Sequence, residues 1–352
     1  MKTVEQTLDL LTASMLPGAG GRWLRELLAA GALRHALERP DDHADAMPEA
    51  AYGALRSGEA RRRAEEELLR ASRAAVRIVG RDDADYPDWL RRTGGPPLVL
   101  YVRGALRGDE GPVSLAIVGS RRCSPAGRAW ARAAAQDLAA AGLTIVSGLA
   151  RGIDTSAHEG ALAARGRTVA VLGSGLDRVY PAENGRLAAE VAERGAVVSE
   201  FALGVGPRPE HFPRRNRLIA GWGRAVVVVE AADRSGALVT ARLAGEEGRD
   251  VMAVPGHPTS AASAGTNALI RDGAVLVRDA ADVAEELGVV LRSPSQEPTD
   301  GLLGALTRDD PRGVEEILGR TGRSVQQVLA ELMTLEMEDK VRRLPGALYV
   351  RN

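Results

Sequence analysis

The sequence is nearly free of lysine and poor in aromatic side chains. Lys2 and Lys340 are the only lysines among 352 residues, and aromatic residues make up 3% of the chain. The formal net charge of −1 excludes a basic surface overall, so a nucleic-acid site would have to be a local patch. Because aromatic residues are scarce, one that lies within a basic cluster is informative about function.

Cysteine and long apolar runs are also scarce or missing. Cys123 is the one cysteine, which excludes a disulfide within the chain and a metal site made of cysteines. No apolar run approaches the length of a membrane-spanning helix, and residues 1–11 lack the charged and apolar blocks of a signal peptide. We expect a protein of the reducing cytoplasm with no metal, no cofactor and no membrane contact.

The N-terminal region, residues 1–75, has apolar residues such as Leu8, Leu11 and Leu27 at helical spacing. A glycine-rich turn at 16–21 separates its first two predicted helices. The turn is compatible with a helix-hairpin-helix element, whose backbone amides face a phosphate, and equally with a plain helical packing module. We therefore predict a small helical domain of the SAM or helix-hairpin-helix type.

The next region, residues 76–288, is predicted to be an α/β domain with an extended Rossmann-like, doubly wound sheet. Apolar strand-like runs alternate with alanine-rich helical stretches, which indicates a parallel sheet covered on both faces. Ligands of such sheets bind beyond the C-terminal ends of the strands. The predicted strands are 98–102, 113–118, 144–146, 168–172, 196–199, 225–230, 251–254 and 274–277.

The C-terminal region divides into a linker and a small domain. Residues 289–300 are polar and contain proline, as linkers do. Residues 301–352 show three helical segments followed by a β-hairpin at 341–350, a pattern that predicts a winged helix.

Several predicted strands end in small or basic residues that suit a phosphate. Arg121 follows Gly119 and Ser120 just before a helix, where glycine admits a ligand and the helix N-terminus attracts an anion. A structural salt bridge between Arg121 and a loop carboxylate is the alternative. The segments 147–151, 173–175 and 235–236 offer further backbone and side-chain donors at strand ends.

Two polar residues of the segment 147–158 are interpreted as structural. Asp154 is expected to cap the following helix, and His158, one turn further, has no metal partner at ligand spacing. We therefore predict that His158 is a packed residue and not a catalytic one.

The segment 207–224 is the strongest indication of nucleic-acid binding. It contains five arginines against one acid, Glu210, and includes Phe212, one of two phenylalanines in the chain. Aromatic rings stack on bases while neighbouring arginines bind backbone phosphates. The alternative is that Phe212 packs into the core and Arg217 is structural.

These segments together resemble the DNA-processing protein A family, also called Smf. The matching stretches are 116–121, 147–158, 171–177 with 180–181, 212–217 and 234–241. The resemblance implies an extended Rossmann domain that binds single-stranded DNA as a homodimer and helps to load a RecA-type recombinase in natural transformation. It also implies a dimer surface near Asn267 and Leu276.

The strand-end loops and the resemblance together give one set of candidate DNA-binding residues. Because several loops are suited to phosphate binding, a polynucleotide is favoured as the ligand over a mononucleotide. The set is Gly119, Ser120, Arg121, Ser147, Arg151, Gly173, Ser174, Gly175, Phe212, Arg214, Arg215, Asn216, Arg217, Ser235 and Gly236.

Two other classes of function compete with DNA binding. A LOG-type nucleotide phosphoribohydrolase has a similar fold, but its Pro-Gly-Gly-x-Gly-Thr loop is not matched here, and only Glu230 and His257 are candidate acid–base groups. The absence of a GxGxxG motif argues against a dehydrogenase. The winged helix suggests a transcription factor as the third class.

The charge of the predicted recognition helix leads to a testable prediction about the winged helix. Between Ser324 and Asp339 there is no lysine or arginine, and the acids there, Glu331 and Glu336 among them, repel a phosphate backbone. We expect this domain to serve protein contacts or regulation. The isolated segment 298–352 should not bind duplex DNA tightly near physiological salt, and deleting it should leave most single-strand affinity. Loss of that affinity in a folded truncation would contradict both this prediction and the site.

Overall fold

The computed structural model describes residues 4–291, 302–306 and 311–351, which belong to two compact units, Met1–Leu291 and Arg292–Asn352. The first unit begins with short helices, as the leucine spacing predicts. They are α1 (Val4–Ser14), α2 (Arg22–Ala29), α3 (Leu33–Glu38), α4 (Glu49–Arg56) and α5 (Glu59–Arg73), with a 3-10 helix at Pro40–Ala46.

The rest of the first unit alternates strands and helices. Its strands are β1 (Arg77–Gly80), β2 (Val99–Gly104), β3 (Ser114–Val118), β4 (Thr144–Ser147), β5 (Thr168–Val171), β6 (Ala196–Ser199), β7 (Ala225–Val228), β8 (Asp250–Ala253) and β9 (Val275–Leu276). Its helices are α6 (Asp88–Arg91), α7 (Pro125–Ala140), α8 (Ile153–Ala163), α9 (Gly185–Arg194), α10 (His211–Trp222), α11 (Gly236–Glu246), α12 (Ala264–Arg271) and α13 (Ala280–Leu287), with 3-10 helices at Gly111–Val113, Ala182–Asn184 and Ala261–Ser263.

The nine strands form one sheet in the order β1-β2-β6-β5-β4-β3-β7-β8-β9. The strands from β6 to β9 in this order pair in parallel, whereas β1 and β2 pair antiparallel and extend the sheet at one edge. The predicted doubly wound α/β domain is confirmed. The sequence did not indicate β1, because a four-residue edge strand is too short to show a period.

Both faces of the parallel sheet are buried. Along β3, Leu115 and Ile117 belong to one apolar cluster, while Ala116 and Val118 belong to another on the opposite face. Successive side chains of a strand point to opposite faces, so helices must cover both sides of β3. This explains why the central strands read as continuous apolar runs.

The N-terminal helices pack against the sheet and do not form a separate compact unit. Leu8 and Leu11 of α1 share an apolar cluster with Tyr101 of β2. The buried carboxylate of Glu67 on α5 accepts the backbone N–H of Leu203 at 2.7 Å. The boundary near residue 75 is therefore a change in secondary structure within one packed body.

His158 is a core residue, as interpreted from the sequence. Its ring is fully buried, and Nδ1 lies 2.7 Å from the hydroxyl of Thr168. That hydroxyl donates to the carbonyl of Ile145, so the His158 Nδ1–H donates to Thr168. Burial lowers the pKa of His158 to about 3, and the ring is neutral at physiological pH.

The second unit is a winged helix. It contains a 3-10 helix at Leu302–Ala305, β10 (Arg312–Gly313), α14 (Val314–Thr321), α15 (Val325–Met337), β11 (Val341–Leu344) and β12 (Leu348–Arg351). The hairpin of β11 and β12 is confirmed, but the first of the three predicted helical segments is only a 3-10 helix within the described residues.

The first residues of the linker predicted at 289–300 belong to the packed first unit. Val289 and Leu291 are partly buried against the core of the first unit, because both are apolar and follow α13 directly. Residues 292–300 of that prediction lie outside the described residues.

Candidate nucleic-acid interface

Five strand-end and helix-start segments meet beyond the C-terminal ends of the parallel strands and enclose an open groove of about 550 Å³. They are the loops after β3, β4 and β7 and the first turns of α10 and α11. The residues that line this groove include Gly119, Ser120, Arg121, Arg122, Asp154, Phe212, Arg215, Asn216, Arg234, Ser235 and Gly236.

Arg121 lies over the ring of Phe212 at the rim of the groove. The guanidinium carbon is 4.8 Å from the ring centroid, and Arg121 is exposed. The alternative of a salt bridge to a loop carboxylate is not realised among the described residues. A cation held on an aromatic face, with its donors open to solvent, suits a phosphate beside a base.

Phe212 itself is half-buried. Its ring packs on the backbone of Gly173, where an added Cβ would lie 3.1 Å from a ring carbon, and its centroid is 5.8 Å from that of Tyr180. A side chain at position 173 would therefore press on the ring, which would have to shift by a few tenths of an ångström. One portion of the ring is packed and another lines the groove, so the packing alternative holds in part and stacking on a base stays a prediction.

Glu230 holds the loop that carries Arg121. Its carboxylate accepts the backbone N–H of Ser124 at 2.9 Å and also the Ser124 hydroxyl, while its carbonyl accepts the N–H of Ser120. Ser124 in turn caps α7 by accepting the N–H of Gly127. This structural role of Glu230 was not evident from sequence, because its partners lie over 100 residues away.

The helix start at Ser235 is arranged as predicted. Ser235 is the N-cap of α11, and its hydroxyl accepts the N–H of Ala237. Gly236 is exposed, and an added Cβ there would meet nothing within 4 Å. Arg234 and Arg122 also line the groove, although neither belongs to the candidate set predicted from the sequence. They adjoin Ser235 and Arg121.

Three residues that were predicted to contact DNA have their hydrogen-bond donors inside the protein. The Ser147 hydroxyl donates to the carbonyl of Ile117, and the Ser174 hydroxyl donates to the carbonyl of Arg178. The N–H of Gly175 donates to the carbonyl of Val205. These donors are buried and already bonded, so the structure does not place Ser147, Ser174 or Gly175 where they could contact a ligand directly.

Arg215 is also buried, in contrast to the prediction that it binds DNA. One of its terminal nitrogens donates to the carbonyl of Val171 at 2.6 Å. An added Cβ on Gly148 would lie 1.8 Å from the guanidinium, so a glycine is required there. Burial lowers the pKa of Arg215 to about 10, while the Asp154 carboxylate opposes that shift.

The Asp154 carboxylate bonds to the loop that precedes α8 and not to the first turn of α8, as was expected. Its carboxylate accepts the N–H groups of Gly148 and Ala150 in the preceding loop, so it does not cap α8. Burial raises the pKa of Asp154, and the charge of Arg215 opposes that rise. The two opposite charges therefore favour each other's ionised form beneath the groove, whose lining includes both residues.

The remaining basic residues of the predicted set lie in different parts of the first unit. Arg214 and Arg217 both pair with the buried carboxylate of Glu200, on the other side of α10 from Phe212. Arg151 is exposed, pairs with Glu183 and lines a small pocket beside Phe212. The Asn216 amide donates to the carbonyl of Gly236 at the groove. The alternative of a structural role is thus realised for Arg217.

Helix α15 of the winged helix carries no lysine or arginine. The described helix α15 presents Val325, Leu329, Met333 and Met337 to solvent, at intervals of four residues. Arg323, just before the helix, pairs with Glu331. An apolar stripe with acidic neighbours suits a protein better than a phosphate backbone.

Comparison with known proteins decides the family. The family model for DNA recombination-mediator protein A matches residues 77–288, and a DprA winged helix model matches residues 291–347. The chain belongs to the DNA recombination-mediator protein A family. Protein Smf of Escherichia coli is 42% identical over 290 residues, which cover 78% of this chain and 77% of the relative.

Solved structures of family members share this fold. DNA processing protein A of Streptococcus pneumoniae superposes with a TM-score of 0.67 and 35% identity over 81% of this chain and 99% of the other. The Helicobacter pylori protein, whose structure describes a single-stranded DNA binding mode, gives a TM-score of 0.54 and 28% identity over 60% of this chain and 95% of the other. In the described part of the chain, no helix is long and apolar enough to cross a membrane.

The burial of Arg215 makes its substitution a test of the floor of the groove. Arg215→Ala removes a buried side chain and leaves the carbonyl of Val171 without its donor, so we expect a loss of about 1–3 kcal/mol in the free energy of unfolding, measured in urea. The control is Arg214→Ala, with a side chain 58% exposed, which should cost about 1 kcal/mol or less. Equal unfolding midpoints for the two variants would show that Arg215 has no structural role.

Proposed function

We propose that this protein binds single-stranded DNA in the groove and acts as a recombination accessory factor without catalytic activity. The observation that carries the proposal is the exposed Arg121 guanidinium on the ring of Phe212, beside the open N-terminus of α11. A ring and a guanidinium plane offer flat surfaces for bases, and the arginines and the helix N-terminus attract phosphates.

The groove is better suited to a strand than to an isolated nucleotide. It is open and carries positive side chains on two of its loops, Arg121 and Arg122 on one and Arg234 on the other. Base faces are exposed only in a single strand, and a ring that stacks on them does not depend on sequence. The single-stranded DNA binding described for the Helicobacter pylori relative supports the same ligand here.

An enzymatic role is disfavoured by the state of the two candidate acid–base groups. The Glu230 carboxylate accepts two hydrogen bonds from Ser124. His257 is exposed, and its ring is hydrogen-bonded to the hydroxyl of Thr259. Neither has a partner that would orient it towards a substrate. Incubation with nucleoside monophosphates should release no free base, and release that Glu230→Gln abolishes would favour a phosphoribohydrolase.

The recombinase partner and the dimer are further parts of the proposal. We infer that the protein protects incoming single strands in the cytoplasm and helps to load a RecA-type recombinase, as the family resemblance implies. A homodimer would use the sheet edge at β9, where Leu276 is 45% exposed on an unpaired strand edge. Asn267 is less available, because its amide makes two hydrogen bonds with the backbone of Gly256.

The first prediction from this proposal concerns the arginine at the rim. Arg121→Ala should weaken binding to an oligothymidylate and lower the slope of log affinity against log salt by about 0.7, because one phosphate contact is lost. Arg186→Ala, at a side chain 92% exposed on α9, removes the same charge from a residue that does not line the groove and should change neither. Equal affinities for both folded variants would contradict the assignment of Arg121.

The second prediction concerns stacking on Phe212. Phe212→Ala should cost about 1–3 kcal/mol of single-strand binding free energy with little dependence on base sequence, whereas Phe212→Tyr keeps a ring and should retain binding. The measurement is a fluorescence titration with oligonucleotides of different composition. A lower melting temperature with unchanged DNA affinity would show that the ring serves packing alone.

The third prediction concerns the dimer. Leu276→Asp places a charge on the exposed edge strand and should convert dimers into monomers in sedimentation. Val290→Asp, at another exposed apolar side chain, is the control and should leave the dimer intact. A wild-type protein that sediments as a monomer at every accessible concentration would exclude this interface.

A further inference from the structure

The first unit has another cavity that is larger than the groove. It has a volume of about 770 Å³, compared with about 550 Å³ for the groove, and lies between the N-terminal helices and the sheet. Leu24 and Leu28 of α2 form one wall, and Pro96, Pro97 and Leu98 form another. Its size and partly apolar lining are those of a ligand site.

The charged lining of this cavity is strongly one-sided. Five arginines line it, against a single acid, Glu200. Arg214 and Arg217 share that carboxylate, so Glu200 neutralises only one of the two. Arg91 is engaged elsewhere, because it pairs with Asp88 and donates to backbone carbonyls. The cavity therefore carries an excess of positive charge.

Two arginines of the cavity have hydrogen-bond donors that could bind a ligand. The Nε of Arg81 is buried without a hydrogen-bond acceptor, and the closest carboxylate oxygen paired with it, on Asp82, is 3.8 Å away. That distance is too long for a hydrogen bond. Arg25 is exposed and donates to the carbonyl of Gly20. A buried donor without an acceptor raises the free energy of the folded protein. An anion that enters the cavity and accepts a hydrogen bond from this donor would remove that cost.

The glycine-rich turn between α1 and α2 also opens into this cavity. Ala19 and Gly20 line it, and an added Cβ on Gly20 would meet nothing within 4 Å. The turn is the element that the sequence left undecided between phosphate binding and plain packing. Its position beside Arg25 and Arg81 favours the phosphate.

Helix α10 connects the cavity with the groove. Phe212 lines the groove on one flank of the helix, while Arg214 and Arg217 line the cavity on the other. An α-helix with its side chains is about 10–12 Å across. A strand that leaves Phe212 and passes over the first turn of α10 would therefore reach the cavity within a few nucleotides.

From this arrangement we infer that the cavity is a second subsite for the same single strand, where Arg81 and Arg25 bind backbone phosphates and the apolar walls receive bases. The inference rests on the proposed function, since the strand must first occupy the groove. It makes the N-terminal helices part of the DNA-binding surface and lengthens the site.

The test compares oligothymidylates of two lengths, about 6 nucleotides, enough for the groove, and about 16 nucleotides, enough for both subsites. Arg81→Ala and Arg25→Ala should each weaken binding of the longer oligonucleotide about tenfold and leave the shorter one unchanged. Arg186→Ala is the charge-matched control and should affect neither. Thermal unfolding verifies that each variant is folded, and Arg25, exposed on α2, keeps the test valid if Arg81→Ala does not fold.

Each outcome separates the two proposals. If the folded cavity variants bind both oligonucleotides like the wild type while Arg121→Ala weakens both, the second subsite is excluded and the groove stands. If they weaken both lengths equally, the cavity is not a separate subsite and the inference is overturned. If the wild type binds neither, the proposed function itself fails.

Discussion

The buried guanidinium of Arg215 is the constraint on which the rest of the site depends. It joins α10 to the end of β5 through the carbonyl of Val171, and the charge of Asp154, at the start of α8, favours its protonated form. A buried charge is tolerated only when its partners are kept in place, so α10 and the end of β5 cannot shift independently. Gly148 supplies the space that this contact needs.

The consequence is that one helix presents two different surfaces. With Arg215 anchored inwards, Phe212 faces Arg121 at the groove, and Arg214 and Arg217 face Glu200 on the opposite flank. A cluster that looks uniformly basic in the sequence is therefore divided into a stacking surface, a buried anchor and an ion-paired flank. The antiparallel extension by β1 and β2, with α1 and α5 packed on it, encloses the cavity on that second flank.

Sequence patterns predicted the parallel sheet closely because its strands are buried on both faces and leave an unambiguous apolar run. The strand at Ala196–Ser199 has the predicted bounds, and the other parallel strands differ by a few residues at most. Shorter edge elements gave no such pattern, so β1 was missed. The groove was located from its loops, since strand ends of a parallel sheet converge on one edge whatever their side chains are.

By itself the sequence determined the fold class, the winged helix and the edge of the sheet at which the candidate site lies, because these follow from apolar periodicity and from the residues at strand ends. Only the tertiary structure decided which of the polar residues remain open to a ligand. Ser147 and Arg215 find their partners on other elements and become internal, while Arg121 remains exposed. Such pairings join residues far apart in the chain, and local spacing contains no record of them.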